Sequence, residues 1–234
     1  LTGTAATANT AYASSGISGL GNEAVTLSDT SLASSVLNTL DGNTSGAVNA
    51  ATVTTLTGLA ADANTAYASG GISGLGNEAV TLSDTSLATT VLNTLDGNTT
   101  GAVNAATVTT LTGTAATANT AYASNGITGL GDEAVTLSDT SLSLSVLNLL
   151  DGNTTGKVNA STVTTLTGAA AEANTAYSSN NALNNGLTGV GNEAVTINDT
   201  SLAASVLNTL DGNTTGAVNA STVTTLTGLA ADAN

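Results

Sequence analysis

Hydrophobic positions in this chain follow two alternating patterns. In Glu23-Ala-Val-Thr-Leu-Ser-Asp29, Val25 and Leu27 alternate with polar neighbours, the period of a half-buried strand. Directly afterwards Leu32, Val36, Leu37 and Leu40 fall at i, i+4, i+5 and i+8, one face of a helix. The spacing predicts a helix over Thr30–Leu40, with Asp29 or Thr30 as its N-cap and Gly42 as its stop. A second pair follows. Thr52-Val-Thr-Thr-Leu-Thr-Gly58 is β-branched and strand-like. Leu59–Ser69 is Ala-rich, places Ala60, Ala63 and Tyr67 on one helical face, and ends at Gly70 and Gly71.

These patterns repeat. Leu-Thr-Gly starts at Leu1, Leu56, Leu111, Leu166 and Leu226; Gly-(Asn/Asp)-Glu-Ala-Val-Thr starts at Gly21, Gly76, Gly131 and Gly191. Leu-Asp-Gly-Asn-Thr starts at Leu40, Leu95, Leu150 and Leu210. The repeat is therefore about 55 residues long, a fixed period of the kind that marks repeat architectures. Only the interval from Leu166 to Leu226 is longer. The repeats run over about 1–55, 56–110, 111–165 and 166–225, with a partial copy over 226–234. The five extra residues fall within Asn180–Asn185, between motifs that keep their sequence, which marks a surface loop.

Each repeat holds two strand–helix steps of roughly 27 residues, in the size range of leucine-rich-type solenoids. Strands alternating with helices predict parallel pairing. The expected fold is thus an α/β solenoid, a single array whose neighbours bury each other's surface. An all-β solenoid (β-helix) is the alternative, favoured by the Thr, Val, Asn and Gly content. The chain starts and stops inside its own pattern, without an initiator Met or a signal peptide, so it is expected to be an internal fragment of a longer protein.

Composition narrows the functions. The 234 residues include no Phe, Trp, Met, Pro, Cys or His, and charged residues are 7% against roughly 25% in ordinary domains. A core of Leu, Val and Ala suits a thin stacked structure. One basic residue against sixteen acidic ones, a net charge of −15, argues against nucleic acid and anionic membrane partners. No apolar run is long enough to span a bilayer. Without His or Cys the usual base and the best nucleophile are missing, so no enzyme is expected. Lys157, the only basic residue, is replaced by Ala47, Ala102 and Ala217 in the other repeats.

The acidic positions are the only candidate sites. Glu23, Glu78, Glu133 and Glu193 recur in phase, as do Asp29, Asp84, Asp139 and Asp199, and Asp41, Asp96, Asp151 and Asp211. A fourth position varies: Thr7, Asp62, Thr117, Glu172 and Asp232. Asp-Gly-Asn-Thr offers oxygen ligands in a Gly turn, so calcium is one reading. The other is structural: Asp29 caps a helix and Asp41 belongs to an Asx-type turn. The spacing fits neither an EF-hand loop nor the nonapeptide of calcium β-rolls. Tyr12, Tyr67, Tyr122 and Tyr177 recur once per repeat, either as a partner-binding stripe or as the one large packing residue of each step. The Thr rows (Thr52, Thr54, Thr55 and their copies) would form ladders along a solenoid, able to face ice, a glycan, a neighbouring filament or only water.

Leu-Thr-Gly-Thr-Ala-Ala-Thr-Ala-Asn-Thr-Ala-Tyr-Ala-Ser and Val-Leu-Asn-Thr-Leu-Asp-Gly-Asn-Thr-Thr-Gly resemble tandem repeats of very large bacterial, notably cyanobacterial, surface and secreted proteins. That resemblance spans the whole chain. It implies export, a cell-surface or matrix location and a spacer, adhesive or fibre-forming role, and it carries over no catalytic residue. The expected function is therefore an extracellular scaffold, stalk or filament subunit that associates with copies of itself. The alternative is a repetitive binding module for calcium, glycan or ice.

Overall fold

A computed structural model describes residues 1–180 and 186–228. The chain divides into two compact bodies: Leu1–Val108 with Ser124–Leu130, and Thr109–Ala123 with Gly131–Asn234. The insertion around Asn181–Asn185 and the last acidic position, Asp232, lie outside the described residues.

Each body is a parallel α/β solenoid of alternating strand and helix steps. Two helix types alternate. The Ala-rich helices are Ala5–Ala13 and Ala60–Ala68 in the first body, Ala115–Ala123 and Ala170–Ser179 in the second. The Leu-rich helices are Ser34–Asn43 and Thr89–Asn98, then Leu144–Asn153 and Ala204–Asn213. Ala has the highest helix propensity, and its small side chain lets neighbouring helices approach closely. Ala60, Ala63 and Ala66 are buried on that contact face.

All described strand pairs are parallel. In the first body one ladder runs Ser31–Ala33, Thr55–Gly58, Ala79–Leu82, Val103–Asn104, Ile127–Thr128. Leu32 lies beside Leu56, Leu56 beside Val80, and Val80 beside Val103. A second ladder runs Thr2–Gly3, Val25–Leu27, Val48–Asn49, Ile72–Ser73. In the second body Ser141–Ser143, Thr165–Gly168, Ala194–Ile197 and Val218–Asn219 form the same succession. There Thr110–Gly113, Ala134–Leu137, Lys157–Asn159 and Gly186–Thr188 also pair in order.

The strands and the helices advance at different rates along the chain. Strand partners such as Leu32 and Leu56, or Val80 and Val103, are separated by less than half a repeat. Successive helices start at Ala5, Ser34 and Ala60, so two helix steps together span one full repeat. The strand ladder therefore slips relative to the helices with every layer. Fresh ladders open at the Ser-Leu-(Ala/Ser) strands that begin at Ser31, Ser141 and Ser201, and the older ones run out at the short strands Ile72–Ser73 and Ile127–Thr128 in the first body and Gly186–Thr188 and Val218–Asn219 in the second.

The core is a line of aliphatic side chains. Leu27, Leu37, Leu40, Leu56, Leu92 and Leu95 are fully buried in the first body, each contributing on the order of 2 kcal/mol by removal from water. Three expectations need correction. The Leu-rich helix starts at Ser34, not Thr30, because Leu32 is held in a strand beside Leu56. Its N-cap position is Ala33, which offers no side-chain acceptor, so neither Asp29 nor Thr30 caps it. It also continues through Gly42 to Asn43, so Gly42 is not the stop and Asp41 sits in the last helical turn, not in an Asx turn.

Candidate functional site: the recurring carboxylate clusters

The three acidic series lie in three different environments. The Glu series sits at the start of the Ala-Val-Thr-Leu strands, where a glycine two residues upstream turns the backbone into the positive-φ region (Gly76, φ +137°). That turn aims two successive N–H groups at the carboxylate. In the first body the Gly76 and Asn77 amides donate to Glu78 Oε2 at 2.8 and 3.2 Å. The Tyr67 hydroxyl, eleven residues upstream on the Ala-rich helix, donates to the same oxygen at 3.0 Å. Tyr12–Glu23, Tyr122–Glu133 and Tyr177–Glu193 repeat the pair at 3.3, 3.0 and 3.2 Å. Glu78, Glu133 and Glu193 have no exposed surface.

The Leu-Asp-Gly-Asn-Thr-x-Gly motif closes each cluster from above. Thr99 Oγ1 donates to the Glu78 carbonyl at 2.7 Å and accepts from the Gly101 amide at 3.0 Å. Thr44, Thr154 and Thr214 make the same latch onto Glu23, Glu133 and Glu193. Gly101 packs so tightly on the Glu78 peptide that a Cβ there would lie 2.3 Å from its carbonyl oxygen. The two most regular sequence motifs therefore form a single packing unit. From sequence the threonine was read only within the Asp-Gly-Asn-Thr ligand set, and the last glycine was not singled out. Their strict phase in all four repeats was the available signal.

Electrostatics follow from these contacts. The Gly21 amide, helped by Tyr12 and the Asn22 amide, holds the Glu23 carboxyl below its usual range. Burial pushes the Tyr177 phenol up to about 12, and the Glu193 carboxylate adds to the shift. Burial followed by the charges of Glu78 and Glu133 raises Tyr67 and Tyr122 in the same direction. Tyr67, Tyr122 and Tyr177 are thus packing residues that also satisfy a buried carboxylate. One oxygen of Glu78 and one of Glu193, Oε1 in each case, is buried without a hydrogen-bond partner.

The Asp29 series does cap helices, but of a neighbouring layer. Asp29 Oδ2 accepts from the Ala5 amide, and Asp84, Asp139 and Asp199 accept from Ala60, Ala115 and Ala170, each at 2.8 Å. Each caps the Ala-rich helix that precedes it in the chain, at the end where the helix dipole favours negative charge. Where the fourth acidic position is Glu172, its carboxylate accepts from the Ala169 amide at the same helix end.

The Asp41 series reaches across to the next layer. Ser69 Oγ donates to Asp41 Oδ2 at 2.6 Å, Ser124 to Asp96 at 2.7 Å, and Ser179 to Asp151 at 2.6 Å. The Asn at the end of each Leu-rich helix also bridges layers: Asn43, Asn98, Asn153 and Asn213 donate to Asn9, Asn64, Asn119 and Asn174. The Thr rows are engaged too, with Thr52 and Thr54 Oγ1 donating to carbonyls of Leu27, Asp29 and Thr30.

Glu, Asp29-type and Asp41-type carboxylates are therefore dispersed over separate contacts. Among the described residues no three His, Cys, Asp or Glu side chains are grouped to hold a metal ion. Among them, too, no helix is long and apolar enough to cross a membrane. The sequence matches no family model, no curated protein and no solved structure.

Proposed function

We propose that this chain is a structural element, a stackable spacer or filament-forming scaffold of an exported, cell-surface or matrix protein, with no catalytic role. One observation carries the reading: the acidic and polar residues that recur in phase are used to join one layer to the next. Glu78 binds Tyr67 and Thr99, Asp84 caps the helix starting at Ala60, and Asp41 holds Ser69. A binding site needs a set of ligand-facing groups brought together, whereas among the described residues these in-phase side chains are committed one by one to contacts within the stack.

The dearth of Lys and Arg and the charge of −15 fit an exposed, protease-resistant surface that stays dispersed until sheet edges meet. Self-association is expected through those edges, where unpaired strand N–H and C=O groups are offered to another copy.

Electron microscopy of the purified chain over a concentration series tests the scaffold reading. Filaments or end-joined particles support it, and dispersed monomers at the highest concentration remove the self-association part. Melting in Ca²⁺ against chelator tests the rival calcium module, for which the unpartnered Oε1 atoms of Glu78 and Glu193 are the candidate ligands. A chelator-sensitive melting temperature would favour that module over the scaffold.

A further inference from the structure

In the Asp41 series the hydrogen bond that joins two layers continues into the backbone. Ser124 Oγ donates to Asp96 Oδ2 at 2.7 Å and at the same time accepts from the Gly126 amide at 3.0 Å. The result is a continuous path from a backbone N–H through a hydroxyl to a carboxylate. Asn125 lies between the two ends of that path, in the sequence Ser124-Asn125-Gly126. Its side chain is exposed. A Cβ at residue 126 would lie 2.2 Å from Asp96 Oδ1 and would push that carboxylate aside; glycine leaves both the carboxylate in place and the nitrogen without a side-chain shield.

An amide nitrogen of this kind is the nucleophile of asparagine deamidation, and its attack requires loss of its proton. We propose that Asn125 is a self-modification site, converted to aspartate and isoaspartate with Ser124 and Asp96 as the proton relay. Gly126 N attacks Asn125 Cγ and forms the new C–N bond of a five-membered succinimide. Its proton passes to Ser124 Oγ while the Ser124 proton passes to Asp96. The carboxamide C–N bond breaks, and ammonia leaves carrying that proton away from Asp96. Water then opens the succinimide at either carbonyl. The net change is asparagine plus water to a carboxylate plus ammonium, with no oxidant or cofactor needed.

The first two repeats serve as internal controls. Asp41, Ser69 and Gly71 form the same path at 2.6 and 3.0 Å, but residue 70 is glycine and has no amide to convert. At Ser14-Ser15-Gly16 the Gly16 amide reaches Ser14 at 3.3 Å, and there is again no asparagine between them. A Cβ at Gly70 meets nothing within 4 Å, so the missing amide can be supplied without disturbing the fold.

Peptide mapping by mass spectrometry after prolonged incubation at neutral pH tests the proposal on the intact chain, folded and in concentrated urea. Aspartate and isoaspartate are expected at position 125, forming several-fold faster in the folded chain than in urea. Ser124→Ala should remove that excess while leaving the rate in urea unchanged. Gly70→Asn should add a second conversion at position 70, abolished by Ser69→Ala. Equal rates for Ser124→Ala and the parent in the folded state, or slower conversion folded than unfolded, would overturn the relay. Circular dichroism on each variant separates a lost relay from a lost fold.

Discussion

Gly97 and Gly101 stand in the same motif and should respond oppositely to a methyl group. Gly97 lies inside the helix Thr89–Asn98, and a Cβ there meets nothing within 4 Å. Gly97→Ala should stabilise by about 0.5–1 kcal/mol, because glycine loses more freedom on folding. A Cβ at Gly101 would strike the Glu78 carbonyl, so Gly101→Ala should cost about 1–3 kcal/mol through overpacking. Urea midpoints of the two variants check both signs. Tyr67, Tyr122 and Tyr177 give a pH test at the same scale. Tyr177 is pushed up to about 12, while an unfolded tyrosine ionises near 10. Above that value the unfolded state binds fewer protons than the native state, so stability is complete below about pH 10 and falls as pH rises further. Phenolate absorbance should therefore lag behind free tyrosine and then rise together with loss of the helical signal. Free titration near pH 10 with an unchanged fold would contradict the Tyr–Glu pairing.

At the scale of elements, the caps decide which helix answers to which residue. Asp84→Ala removes the acceptor for the Ala60 amide and should cost about 1 kcal/mol. The loss should appear as faster hydrogen exchange in Ala60–Ala68, with Thr89–Asn98 little changed. If exchange rises in Thr89–Asn98 instead, the cap belongs to the helix that follows Asp84 in sequence. This pairing also shows what sequence reading reaches and what it does not. The aliphatic spacing at Leu37 and Leu40 and the run of alanines at 60–66 report local periodicity, so both helix types and their order were legible. Asp29 acts on Ala5, far upstream in an earlier layer, and no local window contains that partner. Leu32 was misread for a related reason: its spacing suits a helix, but strand pairing with Leu56 wins. The strands Val48–Asn49 and Ile72–Ser73 are too short to display any period. The Tyr–Glu pair was visible only as two separate in-phase rows, since burial alone brings them together.

For the whole molecule, the sequence period and the layer spacing are different quantities. One sequence repeat, from Leu1 to Leu56, holds two helices, but its strands pair at steps shorter than half a repeat, Leu32 with Leu56 and Val80 with Val103. A strict two-strand solenoid would need equal steps, and the excess is absorbed by opening new ladders. Stability so distributed over many similar contacts has a consequence for proteolysis, because Lys157 is the chain's only Lys or Arg. Trypsin has one bond to cut, after Lys157, and that bond lies inside the strand Lys157–Asn159. This strand is paired on both sides, with Ala134–Leu137 and with Gly186–Thr188, and Val158 is fully buried. The Lys157 side chain is exposed, but a protease needs several residues of free extended backbone, so cutting requires the second body to open around this strand. The native chain should survive prolonged exposure to trypsin. As urea is added, cleavage into residues 1–157 and 158–234 should begin where the circular dichroism signal starts to fall, since cutting follows the population of the open form. Rapid cleavage without urea would mean that Lys157 does not lie in a paired strand. Cleavage that starts well before the dichroism changes would mean that this strand opens on its own, without the helices stacked beside it.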